Sequence, residues 1–516
     1  MTETKNSNPS ERLTRSNLLV RNTLLNFIGQ AAPLVIAFFA IPILIKGLGI
    51  DRFGVLTLAW MVIGYFSLFD LGISRALTKF VAERLGVGQE EAIPALVWTT
   101  IFLMLIFGVV GTLVVGLLSP WLVRRALNIP MALQIETLYA FYVLAFSIPV
   151  VIITAGIRGV LEAHQRFGLI NAVHVTMGVL TFLAPLMVLV FSKSLLAMVA
   201  FLAAGRLLVL LIYLSLCFYV VPAIRHGLAV QRSVVAPLLR FGGWITITNI
   251  VSPVMVYLDR FLVAALVSIA AVAYYVTPYS VVTSLWHVPY AIVGVLFPAF
   301  ATSFVQDPRR TALLFNRGVK YVFLAVFPIT LLIVAFARQG LDLWLGKEFA
   351  EHSTRVLQLL TVGVLINCMA MLPFAFVQAA GRPDITAKLH LVELPFYIVA
   401  IWWMTRAFGI EGTAIVWSAR VTVDALILFV MARRLSPQGS FGFQLPGLVG
   451  GVVLVVLAFA MIPKDLIVNA VFVMLALLLF LSAGWFVILD TQERSWVKKL
   501  VGAGRPSETG YESYNR

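Results

Sequence analysis

Apolar stretches about 20 residues long, the length that crosses a bilayer as a helix, recur along the chain between short polar segments. The polar segments are too short to form a folded domain outside a membrane. We therefore predict an all-α polytopic membrane protein with about 14 transmembrane helices, within a range of 12–14 because the last pair includes one short span. The predicted spans are 24–45, 53–77, 94–119, 134–157, 169–191, 195–221, 241–267, 271–302, 313–336, 356–380, 389–405, 411–432, 446–462 and 466–489.

The composition supports a membrane protein and excludes several other classes. Hydrophobic residues make up 61% of the chain, charged residues only 12%, and the mean hydropathy is +0.99. A water-soluble domain has too little interior to bury that much apolar surface. Cys217 and Cys368 lie within apolar runs, which argues against a disulfide framework or a thiolate metal site. The polar first 20 residues lack the apolar core of a cleaved signal peptide.

The distribution of basic residues predicts the orientation, because lysine and arginine are enriched in cytoplasmic loops. With the amino terminus inside, most of the 38 lysines and arginines fall in cytoplasmic segments. Both termini are therefore expected in the cytoplasm. We attribute the net charge of +15 to this topology signal and to contact with anionic lipids, and not to nucleic-acid binding.

The two halves of the chain repeat each other. The segment "GVLEAHQRFGLINAVH" (159–174) aligns with "AFVQAAGRPDITAKLH" (375–390) at a shift of 216 residues. At a shift of 214, "LLNFIGQ" (24–30) aligns with "LLRFGGW" (238–244). Six helices thus recur as six helices, and an even number of spans gives the two copies the same orientation, as in parallel-repeat transporters.

This repeat predicts the domain organisation. We expect an N-lobe at 24–233 and a C-lobe at 234–434, each of six helices. An extra helix pair follows at 435–489, and cytoplasmic tails lie at 1–23 and 490–516.

Two arginines occupy equivalent positions of the two lobes, since the shift of 214 places Arg206 over Arg420. A cation at the bilayer centre costs about 2.5–3.5 kcal/mol on insertion scales. Both arginines are therefore expected to point into a shared cavity rather than toward lipid. The alternative is that each ties helices together within its own lobe, and Asp424, four residues after Arg420, would suit it as an ion-pair partner.

Several short motifs resemble a known family. The first two spans carry Asn26, Pro42, "GLGIDRFG" (47–54) and "FDLGISRAL" (69–77). The second half carries "YLDRFLVAALVSIAAVAYY" (257–275) and "FGIEGTAIVW" (408–417). In order and spacing these stretches are similar to the polysaccharide-biosynthesis (Wzx-like) flippases of the multidrug/oligosaccharidyl-lipid/polysaccharide exporter superfamily.

The resemblance implies two parallel six-helix lobes in a V and transport by alternating access in the bacterial inner membrane. The implied substrate is a polyprenyl-pyrophosphate-linked oligosaccharide, moved to the outer leaflet for a cell-surface polysaccharide such as O-antigen or exopolysaccharide. A polysaccharide polymerase and chain-length proteins are the implied partners, besides membrane lipids. The extra helix pair resembles the fourteen-span peptidoglycan-precursor flippases.

Residues suited to a sugar diphosphate lie on three predicted helices. The first helix presents a polar stripe, its repeat partner pairs a cation with an aromatic ring, and the eighth helix carries an aromatic stripe that would stack on sugars. Tyrosine and tryptophan near helix ends also form interface belts, which is the alternative for the eighth helix. These substrate-binding candidates are Asn22, Asn26 and Gln30 on the first helix, Arg240 and Trp244 on its repeat partner, and Tyr275 and Tyr279 on the eighth helix.

Further charges lie near the ends of predicted spans. Asp259 and Arg260, late in helix seven, either line the outer rim of the cavity or extend to the external interface. Asp70 and Arg75, near the inner end of helix two, either contribute to a cytoplasmic gate or anchor the helix end.

Absent motifs narrow the function further. The sequence has no phosphate-binding G-x-x-x-x-G-K-[ST] loop and no H-E-x-x-H metal motif, so we expect neither an ATPase nor a metal or cofactor site. A cation-coupled multidrug exporter of the same superfamily is the alternative function, although no acid lies between Asn22 and Ile45 of the first helix. A membrane glycosyltransferase or polymerase would need catalytic acids on a substantial external loop, and the longest one, at 337–354, is short. We therefore expect a transporter and not an enzyme.

Overall fold

The computed structural model describes residues 33, 35–66, 72–86, 88–164, 166–226, 230–306, 308–435, 444–462, 465–491 and 493–495. The regular elements in this part of the chain are helices, and the prediction of an all-α membrane protein is confirmed. They are α1 Val35–Leu48, α2 Ile50–Tyr65, α3 Ile73–Gly86, α4 Ile93–Trp121, α5 Met131–Ala163, α6 Phe167–Leu189, α7 Leu195–Val220, α8 Arg232–Leu266, α9 Ile269–Thr283, α10 His287–Gln306, α11 Pro308–Ala335, α12 Ala337–Leu345, α13 Lys347–Ala379, α14 Pro383–Leu435, α15 Gln444–Ala460 and α16 Leu466–Ala483.

Within the described ranges, eight helices are long and apolar enough to cross a membrane. Two shorter apolar helices lie at Val35–Leu48 and Gly451–Ala460. The predicted span 271–302 includes a break, because a 3₁₀ turn at Ser284–Trp286 joins α9 and α10. The predicted span 53–77 includes parts of α2 and α3, and its residues 67–71 lie outside the described ranges.

The longest helix, α14, bends at Gly409, whose φ of 59° and ψ of −140° are non-helical. A side chain at this position would clash with its own backbone, so glycine permits the bend. The hydroxyls of Thr405 and Thr413 lie 2.8 Å apart and are buried next to it. The predicted spans 389–405 and 411–432 lie on the two sides of this bend.

The helices form two compact units. The first comprises the described residues up to Ser280, together with Trp344–Ser353 and Ala387–Val416. The second comprises Val281–Leu343, Thr354–Thr386 and the described residues from Trp417 onward. The lobe boundaries predicted from the repeat stay a prediction.

Close packing in the first unit depends on glycine and proline positions. Gly108 of α4 lies against Pro149 of α5, where a Cβ atom would contact the proline at 2.6 Å. Proline lacks an N–H, so the carbonyl of Ala145 has no donor within α5. Thr112 supplies one, with its hydroxyl oxygen 2.8 Å from that carbonyl oxygen. The carbonyl that Pro149 leaves without a donor in its own helix thus receives a hydrogen bond from a neighbouring helix.

In the second unit the C-terminal helix α16 is attached to α11. The buried Asn469 donates its Nδ2 amide to the carbonyl of Ala335 at 3.0 Å, and the ring of Phe480 lies 4.8 Å from that of Phe327. Beyond α16, side chains of α11 bind two carboxylates. These contacts join Arg317 to Asp490, and Lys320 and Tyr321 to Glu493.

The Glu493 carboxylate is electrostatically stabilised in this attachment. Burial raises its pKa, but the hydrogen bonds from Lys320 and Tyr321 outweigh that effect, so the pKa lies below its usual value of 4.5. The ionised carboxylate therefore contributes to holding the end of α16 against α11.

Candidate functional site

Asp259 of α8 is a fully buried carboxylate in the first unit, with 0% of its surface exposed. Its Oδ2 accepts a hydrogen bond from the Tyr275 hydroxyl of α9 at 2.7 Å. Its Oδ1 accepts one from the backbone N–H of Arg260, also at 2.7 Å. A buried charge without such donors would be strongly unfavourable, so these hydrogen bonds stabilise Asp259 in its position.

Arg260 is also buried, with 9% of its surface exposed. The central carbon of its guanidinium lies 4.8 Å from the ring centroid of Tyr257 and 4.9 Å from that of Tyr279. Cation–π attraction of this kind strengthens when the cation is desolvated. The rings of Tyr275 and Tyr279 are stacked, with their centroids 6.2 Å apart.

Four residues predicted from the sequence thus form one cluster on α8 and α9. We call Tyr257, Asp259, Arg260, Tyr275 and Tyr279 the α8–α9 cluster. Sequence reasoning missed Tyr257, although its position three residues before Arg260 puts it on the same face of a helix. The structure brings these residues together, and their roles in substrate binding or gating stay predictions.

Arg206 lies in the middle of α7 and is half-buried. Its Nε atom is buried and has no hydrogen-bond partner within the described residues. The neighbouring Leu207 and Leu208 are exposed to 47% and 53%. An arginine with unused donor capacity in an apolar helix is suited to an anionic ligand.

Arg420 and Asp424 lie one turn apart in the second unit, on the part of α14 that follows the bend. Arg420 is half-buried and Asp424 is 7% exposed. The positive charge of Arg420 acts on the Asp424 carboxylate, as their i, i+4 spacing suggests. This electrostatic interaction within one helix is compatible with Asp424 as the partner of Arg420, and both the helix-tying role and the cavity role of Arg420 stay predictions.

The remaining candidates are less well defined. Arg75 is exposed at the start of α3. Arg240 and Trp244 lie on α8, and their side chains are outside the described part of the structure. The other predicted residues outside the described ranges are Asn22, Asn26, Gln30 and Asp70.

A further polar contact joins three helices of the first unit and was not predicted. The carboxylate of Glu136 on α5 accepts a hydrogen bond from the backbone N–H of Leu195 at 2.6 Å, at the first turn of α7. Its other oxygen lies 3.5 Å from the Nε of Arg52 on α2. A carboxylate at a helix N-terminus satisfies a free N–H group and is favoured by the helix dipole. Arg52 belongs to the motif "GLGIDRFG", so this contact gives that motif a structural role.

Comparison with known proteins gives relatives whose names refer to polysaccharide biosynthesis or transport. A family model described as "Polysaccharide biosynthesis protein" matches residues 19–304. The chain is 31% identical over 418 residues to the "Putative O-antigen transporter" of Shigella flexneri. The aligned region covers 81% of this chain and 98% of that protein. It is 26% identical over 358 residues to the "Lipopolysaccharide biosynthesis protein WzxC" of Escherichia coli (strain K12), covering 68% of each.

Solved structures share the fold at low sequence identity. The inward closed conformation of the lipid II flippase MurJ superposes with a TM-score of 0.64 at 13% identity, covering 90% of this chain and 99% of that one. An inward-facing multidrug resistance MATE family transporter of the MOP superfamily gives 0.63 at 14% identity, covering 81% and 99%. These likenesses concern the fold alone. Because the family model matches more than half of the sequence and the Shigella flexneri relative is covered almost entirely, the chain belongs to the polysaccharide biosynthesis protein family.

Proposed function

We propose that this protein is a flippase that moves a polyprenyl-pyrophosphate-linked oligosaccharide from the cytoplasmic to the outer leaflet of the bacterial inner membrane. The relationship to a putative O-antigen transporter over 98% of that protein's length supports this function. Such a substrate has an anionic diphosphate, a polar glycan and a long lipid tail. A carrier for this substrate needs cationic side chains within the membrane to bind the diphosphate. It also needs an opening between helices through which the lipid tail stays in the bilayer.

The observation that carries the proposal is the state of Arg206. Its Nε is buried and has no hydrogen-bond partner within the described residues, in a helix that is otherwise apolar. We assign Arg206 to the diphosphate, because a charge-assisted hydrogen bond to a phosphate oxygen would use this donor. Arg420 is assigned to the same ligand through its repeat relationship with Arg206. The tyrosines of the α8–α9 cluster are assigned to the sugar side of the path.

Transport proceeds by alternating access in this proposal. The predicted lobes, 24–233 and 234–434, admit the headgroup from the cytoplasm, rock against each other and release it outside, while the tail stays in the bilayer. No bond of the substrate is made or broken. A polysaccharide polymerase and chain-length proteins act on the product after it has crossed.

The orientation in the membrane is proposed from the basic residues, with both termini in the cytoplasm. Single cysteines at Val230 and Leu343 test it, because these side chains are 56% and 91% exposed. In a cysteine-free background and in intact cells, a membrane-impermeant maleimide should label position 343 and not position 230. Labelling of position 230 from outside contradicts the orientation.

The assignment of Arg206 is tested by variants in a strain whose own gene is deleted. Arg206→Ala should reduce surface polysaccharide and weaken headgroup binding by about one to two decades, which corresponds to a charge-assisted bond of about 1.5–3 kcal/mol. Arg206→Lys should restore function only in part, because lysine keeps the charge but loses the planar fork. Leu207→Ala, on the same helix, is the matched control and should retain function. If cells with well-folded Arg206→Ala make normal amounts of surface polysaccharide, Arg206 does not belong to the substrate site.

A further inference from the structure

Glu136 of α5 joins that helix to the first residue of α7 within the first unit. Its Oε1 accepts the backbone N–H of Leu195 at 2.6 Å, and its side chain is 21% exposed. Hydrogen bonds to an ionised carboxylate are shorter than bonds between neutral groups and about twice as strong. A single strong polar contact therefore holds the start of α7 against α5.

Arg52 of α2 faces the second oxygen of the same carboxylate. Its Nε lies 3.5 Å from Oε2 of Glu136. The carboxylate thus interacts with a cation on a third helix while it accepts the N–H of Leu195. This arrangement keeps the Glu136 carboxylate in place relative to α2 and α5, and α7 is held to that fixed point.

A second acceptor at the same helix end belongs to α7's own chain segment. The hydroxyl of Ser194, the residue before the helix, accepts the backbone N–H of Ala197 at 3.4 Å. Both acceptors satisfy N–H groups that have no partner inside the helix. The Ser194 hydroxyl moves together with α7, so it cannot fix α7 relative to its neighbours. Glu136 can, because it lies on a different helix.

The apolar character of α7 does not by itself fix the depth of the helix in the membrane. Its 26 residues include one charged side chain, Arg206. The helix is about 39 Å long at 1.5 Å per residue, whereas the hydrocarbon core is about 30 Å thick. The position of such a helix is set by packing and by polar anchors. Beyond Arg206, the Tyr213 hydroxyl donates to the carbonyl of Ile170 on α6 at 3.3 Å, which is a longer contact between neutral groups.

The rotation of α7 determines where Arg206 points. Leu202 and Leu210, one turn before and one turn after it, are 3% and 8% exposed. Leu207 and Leu208, which follow it directly, are 47% and 53% exposed. Because residues four apart share a helix face, Arg206 lies on the packed face of α7. A rotation of about 100°, the angle between successive residues, would move it toward the lipid-exposed face.

We infer that Glu136 is a positioning residue for Arg206. By holding the start of α7, about three turns before Arg206, it sets the depth and the rotation at which the guanidinium presents its donors. Binding of a phosphate by the planar fork of arginine depends on that geometry. The inference rests on the proposed function, because it takes Arg206 as the ligand of the diphosphate.

The first test measures binding of a polyprenyl-pyrophosphate oligosaccharide to the purified protein in micelles. Glu136→Ala should weaken binding about tenfold, because a misplaced guanidinium loses a charge-assisted contact of about that value. In an Arg206→Ala background the same change should alter the affinity by less than about twofold, since no guanidinium is left to be misplaced. Gel filtration measures the folded fraction of each variant.

Two further variants separate positioning from a general loss of stability. Ser194→Ala is the matched control, because it removes an acceptor from the same helix end and should leave the affinity within about twofold of wild type. Glu136→Gln keeps an oxygen that can accept the N–H of Leu195, so it should restore most of the affinity lost in Glu136→Ala. Equal losses with and without Arg206, or normal affinity in Glu136→Ala while Arg206→Ala binds weakly, overturn the inference.

The second test measures the depth of α7 without a substrate, so a failure of the inference is distinguishable from a failure of the proposed function. A fluorophore is attached to Leu208→Cys in a background with Cys217→Ala and Cys368→Ala, and lipids brominated at different chain positions quench it in liposomes. Glu136→Ala should shift the quenching profile and Ser194→Ala should not, and an unchanged profile in Glu136→Ala overturns the inference. If the profile shifts but neither Glu136→Ala nor Arg206→Ala changes glycan binding, Glu136 holds α7 and the assignment of Arg206 to the diphosphate is wrong.

Discussion

Removing the Tyr275 hydroxyl is expected to destabilise the α8–α9 cluster by a measurable amount. Tyr275→Phe removes the donor that lies 2.7 Å from the fully buried carboxylate of Asp259 and leaves the ring in place. Hydrogen bonds to charged groups contribute about 1.5–3 kcal/mol, and a buried carboxylate cannot replace the donor with bulk water. We therefore expect a loss of about 2 kcal/mol in the free energy of unfolding, within that range.

The assay is denaturant unfolding of the purified protein in mixed micelles. Tyr279→Phe is the matched control, because it keeps the ring that contacts Arg260, and it should change stability by less than about 1 kcal/mol. In an Asp259→Asn background the charge is absent, so the effect of Tyr275→Phe should fall below about 1 kcal/mol. A loss of the same size with and without the charge refutes the reasoning, since the hydroxyl would then not act through the carboxylate.

Two other predictions concern packing and pH. Gly54→Ala should strongly reduce the amount of folded protein, because the added Cβ would collide with the backbone carbonyl of Ile269. Gly116→Ala is the control and should be tolerated, because the Cβ added there meets open space. The yield of folded protein after solubilisation measures both effects. The pKa of Glu493 is depressed, so its contribution to stability is complete above its usual value of 4.5 and is lost as pH falls through the folded-state value. Melting temperatures of wild type and Glu493→Gln should therefore differ at neutral pH and converge in acid, and a constant difference contradicts the ion-pair account.

The sequence was sufficient to predict the helical elements and to single out four residues that the structure brings together in the α8–α9 cluster, but not their contact with one another. Apolar stretches of spanning length are a local signal, so most predicted spans coincide with a helix. Tyr275 and Tyr279 were found through their spacing of four residues on one helix face, and Asp259 and Arg260 as charges at membrane depth. Such signals depend only on neighbours in the chain.

Contacts between distant parts of the chain, such as that of Trp344 with Phe38, could not be predicted in the same way. The Trp344 indole and the Phe38 carbonyl are 306 residues apart, and no periodic pattern specifies which distant donor reaches which acceptor. Pro42 does reveal that the Phe38 carbonyl, four residues earlier, lacks a helical donor. It leaves open whether the donor is a side chain, as here, or water. The 3₁₀ turn between α9 and α10 also escaped prediction, because the apolar pattern continues from one helix into the next.

The central claim is translocation without chemistry, and transport by the purified protein in liposomes tests it most directly. A fluorescent polyprenyl-pyrophosphate oligosaccharide is placed in both leaflets, and the fraction accessible to a membrane-impermeant quencher is followed over time, with mass spectrometry of the lipid at the end. We predict that the protein exchanges the glycan between leaflets faster than protein-free liposomes do, that Arg206→Ala slows this exchange and Leu207→Ala does not, and that the mass of the substrate stays unchanged. A leaflet distribution that stays as static as in protein-free liposomes, or a new or broken glycosidic bond, would contradict the account.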